Sequence, residues 1–177
     1  MNENDSDISL AMRVDDISLI ECVFHAAPVS GRSGESRLAI TNPEKHFSLD
    51  VKNRQNVLRA MVAVQFGIAD PSAPAGEKGE IPEFLHFGML VGVVVTSPLM
   101  GEAAIAARHM AGSEDSAAAQ RDKKMEHAMR LEAIKTAYAF ATSKLAEMSA
   151  MSPMGVMVLP LIDADQILID IEKADKA

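Results

Sequence analysis

Residues 138–168, YAFATSKLAEMSAMSPMGVMVLPLIDADQIL, decide how the second half of this chain folds. The first dozen are rich in Ala, Leu, Lys and Glu, which favour helix. They run toward Pro153, whose ring and missing N–H cannot continue a helix. An apolar stretch around Gly155 to Leu159 follows and meets a second proline, Pro160. Asp163 then opens a short helix: its carboxylate can cap, and Gln166 stands three residues on in a capping-box arrangement. The order is therefore helix, break, apolar Leu-Pro segment, acid-capped helix.

Upstream, the helical period predicts one long helix over residues 116–149. Along it Leu131, Ile134, Tyr138, Ala141, Leu145 and Met148 recur at spacings of 3, 4, 3, 4 and 3. Such a seam packs a helix either on the protein's own sheet or on a second subunit. The portion over residues 120–130 is too polar to be buried all round and is expected to project. Residues 98–112, rich in Ala and Met, are expected to hold a short connecting helix.

The first half has a period of two. Residues 14–24 are β-branched and apolar, with the imperfect alternation of a strand partly buried on both faces. Residues 31–42 read as a loop that begins a strand near Leu38. In 46–52, Phe47, Leu49 and Val51 share one face, and 53–56 is a turn candidate. Leu58, Ala60, Val62, Val64, Phe66 and Ile68 line one face of a long strand. After the Pro- and Gly-rich loop 70–82, Leu85, Phe87, Met89, Val91, Val93 and Val95 do the same. Strands followed by helices define an α+β fold. The expectation is a four-stranded antiparallel sheet, Greek key or meander, then a long helix and a short C-terminal helix. Residues 1–12 read as a disordered acidic leader, 13–172 as a single domain and 173–177 as a short tail.

Composition narrows the function. The net charge of −8 opposes nucleic-acid binding, which needs a concentrated positive field. The apolar run around 89–95 is far too short to span a bilayer, so no membrane insertion is expected. A polar, acidic N-terminus unlike a signal peptide and a single cysteine, Cys22, suit the cytoplasm. The five histidines, at 25, 46, 86, 109 and 127, show no i,i+4 pair and no Cys partner at zinc spacing. Cys22 lies among apolar neighbours with nothing nearby in sequence to lower its pKa. Gly88, Gly92 and Gly101 do not form a phosphate loop. Asp163, Asp165 and Asp170 suit a helix start and exposed positions better than paired catalysis. No enzyme, metal or cofactor is expected.

This architecture resembles the SecB family of protein-export chaperones over nearly the whole chain. The counterparts in the C-terminal half are Tyr138, Pro153, Leu159-Pro160 and Asp163-Ala164-Asp165-Gln166-Ile167-Leu168. In the first strand, Val14-Asp15-Asp16-Ile17-Ser18-Leu19-Ile20-Glu21 resembles the family's Asp-Ile-Ser-Phe-Glu, and His25-Ala26-Ala27-Pro28 its strand-ending Ala-Pro element. The resemblance implies an ATP-independent cytosolic holdase that binds unfolded or nascent polypeptides in apolar grooves. It also implies a homo-oligomer, a tetramer built as a dimer of dimers, and the 3,4 spacing makes the seam from Leu131 to Met148 the candidate interface. In the family two acids on the outer sheet face help dock the export motor SecA. Asp16 matches the first, while Ile20 stands at the second. Strict alternation puts Glu21 on the opposite face. SecA docking is therefore expected to be weak or absent.

The longer connection over 98–120 and the tail EKADKA favour a divergent member, of the kind found beside toxin–antitoxin operons or in phage and mobile elements. Twelve methionines suit a surface that must repack around unrelated segments, though they equally fill gaps in a core. Met100, Met110, Met154 and Met157, with Phe47 as a rigid anchor, are the candidate client-binding residues. The alternative function is a structural or dedicated interaction protein that uses the same fold to bind one specific partner.

Overall fold

The computed structural model describes residues 12–26, 39–41, 47–54, 56–69, 83–97, 116–151 and 155–174. The leader, the loops 27–38 and 70–82, the connecting segment with its expected short helix, and residues 152–154 lie outside them.

The alternation in the centre of the chain becomes two long antiparallel strands, β4 (Val57–Ala69) and β5 (Glu83–Thr96). Their register sets Leu58 against Val95, Val62 against Val91 and Val64 against Met89, all buried on one face. Fully burying such a side chain contributes roughly 1.5–3 kcal/mol, so this pair forms most of the core. On one side β5 pairs with β1 (Arg13–Ala26). On the other, β4 pairs with two successive pieces, β2 (Ala39–Thr41) and β3 (Phe47–Arg54). Across the sheet the order is β1, β5, β4, then β2 and β3 sharing one edge. The first strand thus lies beside the last, a Greek key and not a meander.

Helix α1 (Ser116–Ser149) crosses the inner face over β4 and β5, and α2 (Ala164–Ala174) packs on α1 and β3. The α1 residues in the core are Met125, Met129, Ala133, Ala137, Ala141 and Leu145. Their spacing is four residues throughout, and three are alanines, so the backbone comes close to the sheet. The expected seam is therefore divided. Ala141 and Leu145 face the sheet, whereas Ile134 is buried against Ala164 and Leu168 of α2. Residues 120–130 do not project, because Met125 and Met129 anchor that stretch and Ser97 Oγ approaches Met125 Sδ at 3.4 Å.

At the start of α2, Asp163 Oδ1 accepts from the backbone N–H groups of Asp165 and Gln166, both at 3.1 Å. That is the expected cap. The reciprocal half of the box is replaced: Gln166 Nε2 donates to Asp170 Oδ1 at 2.9 Å.

The small residues on α1 give a direct check. Ala137 is wholly buried in the stripe. Ala137→Leu should wedge helix from sheet and cost about 1–3 kcal/mol. Thermal unfolding measures this; a variant as stable as the parent would show a looser helix–sheet contact.

Candidate functional site

Between the two helices the chain runs as an extended strap, residues 155–162. Gly155 begins it with φ of 76°, the left-handed region that side chains with a Cβ resist. Ser149, buried at the end of α1, ties the strap down. Its Oγ accepts from the N–H of Met157 at 2.7 Å and donates to the carbonyl of Ala146 at 3.3 Å. Further along, Tyr138 Oη donates to the carbonyl of Pro160. Extended backbone sends alternate side chains to opposite sides. Met157 and Leu159 turn into the core, while Val156 and Val158 remain 68% and 66% exposed. Leu161 is fully exposed and Met151 is 94% exposed. Val156 and Val158 thus form one apolar side open to solvent on a backbone held at Met157 and Pro160, and Leu161 is exposed just beyond the second hold.

Beside the strap lies an open depression of about 440 Å³ lined by Lys135, Tyr138, Ala139 and Ile162 with Asp163, Ala164 and Asp165 of the α2 start. Burial pushes the Tyr138 phenol up to about 12, so the hydroxyl stays protonated and available as a donor. His127 Nε2 lies 4.0 Å from Asp165 Oδ1 at the same junction.

The sequence-derived candidates do not converge on one place. Met157 is half-buried against the core. Phe47 opens β3, paired with Val64, at the far edge of the sheet. Met100, Met110 and Met154 lie outside the described residues. In the seam, Ile134, Ala141 and Leu145 are fully buried within the single chain. Leu131, Tyr138 and Met148 are half-buried and retain surface that a second subunit could meet. Cys22 Sγ sits 3.5 Å from Met148 Sδ, and burial raises the thiol's pKa against the opposing pull of Lys144. Val156, Val158 and Leu161 were not among the candidates. Their signal was the alternation of GVMVL between a glycine and a proline, which marks an extended segment with one free side.

The outer sheet face requires a correction. Strict alternation separates Glu21 from Asp16, but β1 carries register shifts between Val14 and Asp16 and between Leu19 and Glu21. In the second, Ile20 is the extra residue of a β-bulge, two residues opposing one. Asp16 pairs with Val94 and Glu21 with Leu90, which are four apart on β5. Asp16 and Glu21 therefore share the outer face, and the stated reason against SecA docking falls away. Asp16 is exposed there and accepts from Ser18 Oγ at 2.8 Å. Ile20 lies on the same face, its Cδ1 3.3 Å from where a Cβ on Gly92 would stand.

Among the described residues no group of three or more His, Cys, Asp or Glu is placed to hold a metal, and no helix is long and apolar enough to cross a membrane.

No protein-family model matches the chain, and no curated protein matches it by sequence. Its fold matches a SecB-like chaperone of Mycobacterium tuberculosis, solved in complex with a ChAD peptide from the HigA1 antitoxin. The TM-score is 0.51 at 9% sequence identity, covering 89% of this chain and 95% of that one. Four ranks of antiparallel strand, a long helix and a short C-terminal helix are thus the SecB-like fold. The chain is a divergent version of it.

Tyr138 is the only tyrosine, so its ionisation can be followed by tyrosinate absorbance without interference. The folded protein should titrate near pH 12 and the denatured chain near pH 10. A phenol raised on folding stabilises the protein below pH 10, and that contribution is lost as pH climbs through 12. Tyr138→Phe should lack this alkaline loss. Titration of the folded protein near 10 would show that the phenol is not held under the strap.

Proposed function

We propose that this protein is an ATP-independent, cytosolic polypeptide-binding chaperone, a holdase that carries out no catalytic step and uses no cofactor. The observation that carries the reading is the strap. Val156, Val158 and Leu161 offer aliphatic contact on a backbone pinned by Ser149 and Tyr138. A surface that binds unrelated unfolded segments needs exposed apolar area without a shaped pocket, kept from collapsing onto its own core. The pins supply the second condition, because Met157 and Leu159 already fill the inward side. The depression by Lys135 extends the surface toward α2 and adds charged groups that can meet a client backbone.

A homo-oligomer, a tetramer, belongs to the same proposal. Beyond the exposed remainder of the α1 seam, Ile17 and Leu19 of β1 lie on the helix side of the sheet yet stay 41% and 46% exposed. A second subunit would cover such aliphatic surface. A second reading is a dedicated interaction protein with one partner, such as a toxin–antitoxin or phage component. It is favoured by the antitoxin peptide held by the Mycobacterium tuberculosis protein of similar fold.

Val156→Ser with Val158→Ser tests the reading. Two aliphatic contacts of this size contribute about 1–2 kcal/mol to a bound client after ordering costs, so suppression of aggregation should weaken roughly tenfold. The melting temperature should hold, because both side chains face solvent. Met157→Ser should behave in the opposite way, lowering the melting temperature through lost packing. Several unrelated denatured proteins serve as clients without ATP. Protection of a single partner alone would select the dedicated role, and undiminished protection by the double variant would remove the strap from the site.

A further inference from the structure

Two histidines face each other across the outer side of the sheet, where nothing above gives them a role. His25 on β1 stands directly opposite His86 on β5. Each follows or precedes an inward-facing residue, Phe24 on one strand and Phe87 on the other, so both imidazoles point away from the helices. Side chains opposed in this way have Cβ atoms about 4.5–5.5 Å apart, close enough for two imidazoles to meet one ion. The surroundings of His86 prepare it as a ligand. Its Nδ1–H donates to Glu83 Oε2 at 3.0 Å. A neutral ring held in that way keeps its lone pair on Nε2, and the carboxylate behind it makes that nitrogen more basic. Nε2 lies 3.9 Å from where a Cβ on Gly88 would stand, and that same point is 4.0 Å from Val23 Cβ. The ring therefore leans over the glycine, whose partner on β1 is Val23. His25 is the next residue on that face of β1; it is exposed and has no hydrogen-bond or ion-pair partner among the described residues. On the other flank of His86, β4 presents Gly67, which has no side chain to crowd an ion.

From this arrangement we infer that His25 and His86 bind a late first-row divalent cation, Zn2+, Ni2+ or Cu2+, as a two-imidazole clip between β1 and β5, with Glu83 orienting His86. These ions favour imidazole nitrogen, whereas Mg2+ and Ca2+ take oxygen ligands. Two protein ligands leave the other coordination positions to water, so the site is open and its ion exchangeable. The neighbouring soft and basic groups are spoken for elsewhere. Cys22 lies on the inner face against Met148, and His127 lies beside Asp165 at the junction of the two helices. The net charge of −8 favours a cation over an anion at an exposed site. Among the described strands β1 is an edge with a single neighbour, so the clip ties down the strand that has least to hold it. The site lies on the opposite side of the sheet from the strap and does not depend on the chaperone reading.

Calorimetric titration of the full chain with ZnCl2 in a non-chelating buffer tests the inference, with MgCl2 as the control ion. The parent should bind Zn2+ saturably and ignore Mg2+. His25→Ala and His86→Ala should each weaken that binding at least tenfold, and Glu83→Ala by about tenfold through loss of the orienting carboxylate. His127→Ala should bind as the parent does. Both ligand histidines are solvent-accessible, so the metal-free melting temperature of their variants should match the parent and show that the fold is kept. Hydrogen–deuterium exchange locates the ion: saturating Zn2+ should slow exchange over residues 23–26 and 85–88 in the parent and leave His25→Ala unchanged. A parent that does not bind Zn2+, single histidine variants with parental affinity, or exchange over 23–26 that ignores saturating Zn2+ would each overturn the inference.

Discussion

The close contact between the four-residue stripe of α1 and the β4–β5 pair fixes where everything else lies. Alanines at 133, 137 and 141 let the helix backbone approach the sheet, and methionines at 125 and 129 with Leu145 fill the two ends. Because α1 spends this stripe on its own sheet, its flank at Ile134 is left for α2, which then lies over β3. The end of α1 at Ser149 is also set by this contact. From there the chain must return along the helix to reach α2, and the strap is that return.

The proposed function rests on how the return is held. A segment of Val, Met and Leu free in water would fold onto the nearest apolar surface. Here the inward positions Met157 and Leu159 are already packed, and Ser149 and Tyr138 hold the backbone, so Val156, Val158 and Leu161 stay outside. The outer sheet face, with none of the described helices over it, is a separate surface.

Much of this was legible in the sequence. The alternation of Leu58 to Ile68 and of Leu85 to Val95 gave the central strands, and the helix bounds at 116 and 149 match. The cap at Asp163 was equally readable, since a carboxylate at that position has one local use. Three features were not. Alanine carries little hydrophobic signal, so the seam took in Ala141 and Leu145 of the sheet-facing stripe but missed Ala133 and Ala137. The bulge at Ile20 adds a residue that period-two counting cannot see, and the face of Glu21 was inverted as a result. The strap looked like a connection because the two side chains that bind it, Ser149 and Tyr138, lie earlier in the chain than the backbone they hold.

The central claim is that the strap binds polypeptide. Hydrogen–deuterium exchange with and without a permanently unfolded client tests it most directly, because it reads each backbone segment at once. The account predicts slower exchange over residues 155–162 and at the neighbouring start of α2 when the client is bound, with the β4–β5 core unchanged. Protection confined to β1 and β3, with the strap exchanging as it does alone, would contradict it.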